Sequence, residues 1–389
     1  MTPRAGLVVV GGGPAGHAAA TAYAEAGGPG AVVLLADEGR HPYARPPLSK
    51  DLLRGTAEAG ALPLEDDPAA YAQRGVEVRP AQAAGLDPTG REVILADGGR
   101  LGFGACVLAT GAAPIRPPVD GSDAPHVHVL RTADHALALR DAAVSGAHAV
   151  VVGSGFIGCE AAASLRARGC AVTLVSQEPA PQAARLGGEV AARLAGWLAE
   201  LGVDARYEAE LATIEPGRVH LVGGGAALEA DLVLLAAGVA PRAGLAERAG
   251  LALAEGGEVA ADAAMRTSAP AVFAAGDCCR ARHALAGRPL HVEHWGDALA
   301  QGEVAGTVAA GGDAAWSTVP GFWSTIGDRT LKYAAWGDGF DAVRVADHGD
   351  GAFTAWYGAG GRTVGVLAHE RADDYEAGRE RIERGDPLP

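Results

Sequence analysis

Hydrophobic and polar positions alternate between two rhythms along the chain. Short β-branched runs are followed by tight glycine turns and then by Ala-rich stretches with helical spacing, the pattern of strand, turn and helix. Val8-Val9-Val10-Gly11-Gly12-Gly13-Pro14-Ala15-Gly16 leads into a helical stretch, Ala18 to Ala26. The arrangement recurs as Val150-Val151-Val152-Gly153-Ser154-Gly155-Phe156-Ile157-Gly158, followed by Ala161 to Ala167. A second strand is expected after each helix, at Ala31–Ala36 and Ala171–Val175. Closing strands ending in small residues follow at Cys106-Val107-Leu108-Ala109-Thr110-Gly111 and Leu232-Val233-Leu234-Leu235-Ala236-Ala237-Gly238. One more, Ala271-Val272-Phe273-Ala274-Ala275-Gly276-Asp277, ends in an acid. After residue 319 the rhythm changes to two-residue alternation at Ala342–Ala346, Phe353–Tyr357 and Thr363–Leu367, amid half of the tryptophans.

Twice-written G-x-G-x-x-G turns in strand–turn–helix context point to two dinucleotide sites. The first glycine allows the sharp turn, the second lets backbone approach a pyrophosphate, and the third lets helix pack on strand. The phosphates are expected at the positive helix N-terminus. Asp37-Glu38 stands where an acid takes a ribose diol, about 20 residues beyond the last glycine. The second copy has Ser176-Gln177-Glu178 there. Ser176 tolerates a 2′-phosphate with Arg185 as its partner, whereas Glu178 restores a diol site, so NADH and NADPH both stay open. Ala237 and Gly238 close the second site, as Ala109, Thr110 and Gly111 close the first. Asp277 suits a polyol or ribityl chain.

The implied fold is α/β: two Rossmann-type dinucleotide-binding domains plus a C-terminal α+β domain with an antiparallel sheet. The expected boundaries are 1–115 with 241–318, 116–240, and 319–389.

Composition narrows the function. The chain has 389 residues, 49% apolar and 20% charged, and a net charge of −15, which argues against nucleic acid and anionic membranes as partners. The N-terminal apolar run imitates a secretory signal, but Gly11-Gly12-Gly13-Pro14 interrupts it. No run is long and apolar enough for a membrane span. The cysteines, 106, 159, 170, 278 and 279, lack metal-ligand spacing and read as reduced thiols of a cytoplasmic protein. His291-x-x-His294 lacks a third ligand, so no metal is expected. Among 32 basic side chains only Lys50 and Lys332 are lysines. A lysine anchored by Pro46-Pro47 therefore suggests a compact ammonium that guanidinium could not replace.

Pro42-Tyr43-Ala44-Arg45-Pro46-Pro47-Leu48-Ser49-Lys50 resembles the FAD-dependent ferredoxin, rubredoxin and putidaredoxin reductases, which share their fold with glutathione reductase and apoptosis-inducing factor. Leu130-Arg131-Thr132, Met265–Ser268, Phe273–Asp277, His294–Ala298 and Phe322-Trp323-Ser324 look like the same family in the same order. The resemblance implies FAD held by Gly11, Gly13, Pro14, Ala15, Gly16, Asp37, Glu38, Arg45, Lys50, Ala83, Ala109, Thr110, Gly111, Arg131, Gly276, Asp277, Trp295 and Ala298. It implies NAD(P) held by Gly153, Gly155, Phe156, Ile157, Gly158, Glu160, Ser176, Glu178, Ala237 and Gly238. Lys50 would lie by the flavin and pair with Glu160, and Trp323 would lie beside the flavin or near a docking surface. Trp323 can equally be read as a core aromatic.

The implied activity passes electrons from NAD(P)H through FAD to a ferredoxin-type [2Fe-2S] protein serving an oxygenase or cytochrome P450. Arg280, Arg282, Arg288, Arg329 and Lys332 are candidates for its docking patch. No cysteine lies between Asp37 and Gly104, where disulfide reductases of this fold keep a redox thiol. Two departures stand out: Thr325-Ile326 where relatives often carry an acid–amide pair, and Ser176 in place of an acid. An NAD(P)H oxidase or quinone-type reductase, and a flavin-holding signalling protein like apoptosis-inducing factor, are the rival readings.

Overall fold

The computed structural model describes residues 4–65, 67 and 69–389. The chain forms two compact units. The first comprises 1–44, 62–113 and 241–321; the second comprises 45–61, 114–240 and 322–389.

In the first unit Arg4–Val10 lies between Val32–Leu35 and Arg100–Leu108, and pairs parallel with both. Val76–Arg79 extends the sheet beyond Val32–Leu35, again parallel. Arg100–Leu108 is long enough to serve two partners. Its first half takes the antiparallel hairpin Ala83–Asp87 and Glu92–Leu95, and its second half pairs parallel with Val272–Ala274. Strands buried on both faces read as continuous apolar runs, and Leu7, Val8, Val9, Val32 and Leu34 are at most 2% exposed. The helix Pro14–Glu25 crosses the sheet and packs on the helix Trp295–Ala309. That packing requires glycines: a Cβ on Gly302 or Gly306 would come closer than 3.0 Å to the carbonyl oxygens of Ala15 and Ala19.

In the second unit the strand order is Asp204–Arg206, Ala171–Val175, His148–Val152, Leu232–Leu235, Val127–Val129, all parallel. Its core is aliphatic: Val127, Val150, Val175, Leu211, Val219, Val233 and Leu235 pack together, each burial contributing about 1.5–3 kcal/mol. The strands Leu211–Glu215, Gly217–Leu221 and Leu228–Ala230 form a small antiparallel sheet on this side. The same unit contains a five-stranded sheet in the order Gly321–Ile326, Arg329–Ala335, Arg362–His369, Ala352–Ala359, Ala342–Gly349. The helix Ala372–Arg384 packs on its Arg362–His369 strand.

Candidate functional site

The two glycine turns share one geometry. Gly11 and Gly153 have φ of 121° and 110°, a region costly for any residue with a Cβ. A Cβ at either would come closer than 3.0 Å to a carbonyl oxygen, of Ala109 and Ala236 respectively. Gly16 and Gly158 would in turn meet the carbonyls of Gly11 and Gly153. The helices that follow, Pro14–Glu25 and Phe156–Ala167, have glycine N-caps (Gly13 and Gly155) in extended conformation, without a side-chain cap. Unsatisfied backbone N–H groups and the helix dipole therefore face outward at each turn, the donor set that suits a pyrophosphate. Space is kept there too. A Cβ on Gly155 would meet nothing nearer than Gln182 Nε2, at 3.5 Å. These turns fit two dinucleotides.

In the first unit, Asp37 is exposed just beyond the strand Val32–Leu35, while Glu38 Oε2 accepts from the Tyr43 hydroxyl at 2.5 Å. Thr110 Oγ1 donates to Arg242 O at 2.6 Å, and Gly111 has φ of 66°. Gly276 has φ of 78°, and a Cβ there would lie 3.0 Å from Ala15 Cβ and 3.6 Å from Ala298 Cβ. Asp277 is 7% exposed, and its carbonyl accepts from His291 Nε2 at 3.0 Å. Trp295 opens the helix that carries Ala298, and Ala83 starts the outer hairpin strand.

The second unit brings Arg45, Lys50, Arg131 and Glu160 into one body. Arg45 donates to Arg131 O at 2.8 Å. Lys50 Nζ sits 2.6 Å from Glu160 Oε2 and donates to Pro46 O at 3.0 Å. Glu160 also accepts from Ser49 Oγ (2.5 Å), Ser324 Oγ (2.6 Å) and Thr325 N (3.3 Å). Ser49 and Ser324 lie inside motifs that the sequence singles out. Their shared contact with Glu160, however, joins residues 111 and 164 positions apart, and no sequence signal marks it.

Ser176 turns inward. It is 5% exposed, shares a 2.6 Å hydrogen bond with Ser154 Oγ and accepts from Glu178 N at 3.1 Å. The Glu178 carboxylate accepts from Ala184 N at 3.2 Å. Ile157 is 42% exposed, and Phe156 packs edge-on against Phe322, ring centroids 4.7 Å apart. Ala237 and Gly238 are exposed, the latter with φ of 93° and its carbonyl accepting from Ile115 N.

Trp323 is 44% exposed, so it is not a core aromatic. Of the basic candidates, Arg280 pairs with Glu258 at 2.7 Å and Arg329 with Glu200 at 2.6 Å, and Lys332 lies over the Tyr375 ring. All five cysteines are buried and free, and burial pushes the Cys106 thiol up to about 12. His291 and His294 face different carboxylates, Glu258 and Asp297. No group of three metal-ligating side chains occurs among the described residues. No helix among them is long and apolar enough to cross a membrane.

Two uncapped glycine turns and a buried ammonium–carboxylate pair suit a dinucleotide-dependent oxidoreductase. The chain belongs to the pyridine nucleotide-disulphide oxidoreductase family, which matches residues 5–302, and its cofactors are FAD and NAD(P)H. It is 32% identical over 387 residues to a ferredoxin–NAD(P)(+) reductase of Sphingomonas sp, covering 97% of this chain and 92% of that protein. The crystal structure of the ferredoxin reductase for the CYP199A2 system of Rhodopseudomonas palustris superposes with a TM-score of 0.93, at 30% identity, covering 98% of this chain and 95% of that one. The reductase of the covalent putidaredoxin reductase–putidaredoxin complex is also similar (TM-score 0.92, 29% identity, 99% and 94% covered).

Proposed function

We propose that the protein is an NAD(P)H:ferredoxin oxidoreductase, passing electrons to a [2Fe-2S] protein that serves an oxygenase or cytochrome P450. Its FAD would be held by residues 1–115 and 241–318, its NAD(P)H by 116–240, and its partner met by 319–389. The observation that carries this reading is the buried Lys50–Glu160 pair alongside two uncapped glycine-turn helices, with no accessible thiol to divert electrons. Bound FAD supplies the conversion between hydride transfer and single-electron release.

The protein's own part is to bind and orient. Gly11 and Gly153 make the sharp turns, Gly16 and Gly158 let helix pack on strand, and Gly13 and Gly155 leave room for the two pyrophosphates. Asp37 and Asp277 offer carboxylates to the ribose and ribityl hydroxyls. Lys50 sets a positive charge where negative charge develops, the arrangement that lowers barriers most effectively when fixed in advance. Exposed Trp323 supports a role at the acceptor face. The buried reduced thiols support a cytoplasmic setting.

The test is a steady-state assay of the purified yellow protein. NADH and NADPH are compared, each with ferredoxin plus cytochrome c and with oxygen alone. Ferredoxin-dependent reduction at least tenfold faster than oxygen consumption is expected. Equal or faster turnover with oxygen alone would make it an oxidase.

A further inference from the structure

Glu160 is 4% exposed, yet its carboxylate receives four donors from two distant stretches of chain. They are divided between its oxygens. Oε2 takes Ser49 Oγ at 2.5 Å and Lys50 Nζ at 2.6 Å; Oε1 takes Ser324 Oγ at 2.6 Å and Thr325 N at 3.3 Å. The terminal torsion of a glutamate is broad and nearly two-fold, so a carboxylate bonded to one lysine can swing or exchange its oxygens. Hydroxyls on opposite oxygens remove that freedom, because rotation in either direction lengthens at least one charge-assisted bond.

The clamp is itself braced. Ser164, one turn along the helix from Glu160, donates to the Ser49 carbonyl at 2.7 Å, and Arg54 Nε donates to Ser164 Oγ at 3.3 Å. On the other side Ser324 belongs to the strand Gly321–Ile326 and is 1% exposed. Lys50 has three ammonium hydrogens. Glu160 Oε2 takes one and Pro46 O, at 3.0 Å, takes another, so the direction of the third follows from where Glu160 is held.

We propose that Ser49 and Ser324 are positioning residues, which pin the Glu160 carboxylate and thereby aim the remaining Lys50 N–H. The consequence for catalysis rests on the reading, given above, that Lys50 faces FAD. The clamp itself does not. Losing one charge-assisted hydrogen bond of this kind corresponds to about a ten- to hundredfold change in a rate that depends on it.

With only two lysines, holoenzyme carrying lysine labelled at Cε and Nζ gives one signal from Lys50 and one from Lys332 in magnetic resonance spectra. Lys50→Ala assigns them. Ser324→Ala and Ser49→Ala, which approach Glu160 from opposite sides, are expected to shift the Lys50 signal and speed its hydrogen exchange at least tenfold, leaving the Lys332 signal in place. Both variants should keep stoichiometric FAD. Their flavin reduction in stopped flow should slow at least tenfold, with a midpoint potential moved in the same direction as in Lys50→Ala. In the Lys50→Ala background, Ser324→Ala should add nothing to either. An unmoved Lys50 signal in both serine variants overturns the clamp, whatever the flavin does. A shifted signal with wild-type rate and potential, where Lys50→Ala alters both, overturns its catalytic part. If Lys50→Ala alters neither, the placement of Lys50 at the flavin fails, and the resonance result still decides the clamp.

Discussion

Gly153 and Gly155 stand two residues apart in one turn, yet the structure assigns them opposite sensitivities to a methyl group. At Gly153, φ is 110° and a new Cβ would press into the Ala236 carbonyl. Backbone strain of this kind costs about 1–3 kcal/mol, and displacing a packed strand end costs about 1–3 kcal/mol more. A loss of roughly 2–6 kcal/mol follows for Gly153→Ala, a large share of a typical folding free energy. At about 2–4 °C per kcal/mol, the melting temperature should fall by roughly 5–20 °C.

Gly155 has φ of −62° and ψ of 172°, comfortable for alanine, and its nearest obstacle is Gln182 Nε2 at 3.5 Å. Gly155→Ala should therefore cost no more than about 1 kcal/mol, the worth of a poorer N-cap. Its methyl instead occupies space reserved for the coenzyme pyrophosphate, so the KM for NAD(P)H should rise about tenfold or more. Thermal unfolding followed by circular dichroism gives the first quantity, and initial rates with ferricyanide as acceptor give the second. If Gly155→Ala melts as early as Gly153→Ala, or keeps the wild-type KM, the assignment of these two glycines is wrong.

Three further outcomes are expected. His283 is fully buried, with Nε2 facing Thr318 O at 2.9 Å and Nδ1 accepting from Ala286 N at 3.0 Å; burial, partly offset by the Thr318 carbonyl, lowers its pKa below the ordinary 6.5. A neutral folded ring and a more readily protonated unfolded one mean that its stabilisation is present above about pH 6.5 and is lost as pH falls toward the folded value. Melting temperatures between pH 7.5 and 5 should thus drop more steeply for the native protein than for His283→Gln, and parallel curves would refute this. A thiol reagent should modify essentially none of the five cysteines in the native protein and all five in denaturant, since each is buried; rapid native labelling would contradict their burial. Gly302→Ala should separate the helices Pro14–Glu25 and Trp295–Ala309, costing about 1–3 kcal/mol by calorimetry and loosening FAD retention; an unchanged melting temperature would show that the helices can shift apart freely.

Both glycine turns, their flanking strands and the alternating C-terminal strands were legible in the sequence, because each is written in a local period of two or about four residues. Asp37, placed by counting from Gly16, indeed lies just past its strand. The hairpin Ala83–Leu95 was not legible, since its short strands are broken by Gly85 and by the polar turn Thr89-Gly90-Arg91. By its place in the chain Ser176 is simply the residue of a ribose slot. That its hydroxyl is spent on Ser154 depends on a strand-end approach 22 residues away in sequence, which periodicity does not report. The Glu160 clamp was hidden for the same reason, more severely. Its partners lie more than 100 residues from it in either direction, and serine is too common a residue to draw notice.

The strand Gly321–Ile326 places Ser324 against an interior acid and its neighbour Trp323 in solvent. Adjacent side chains of a pleated strand point to opposite faces, so one six-residue segment serves two masters that cannot be tuned separately by sliding it. Inserting a single residue ahead of Trp323 would move the indole into the place of Ser324 against Glu160 and turn the hydroxyl to the opposite face, so that one coding accident would disable both faces together.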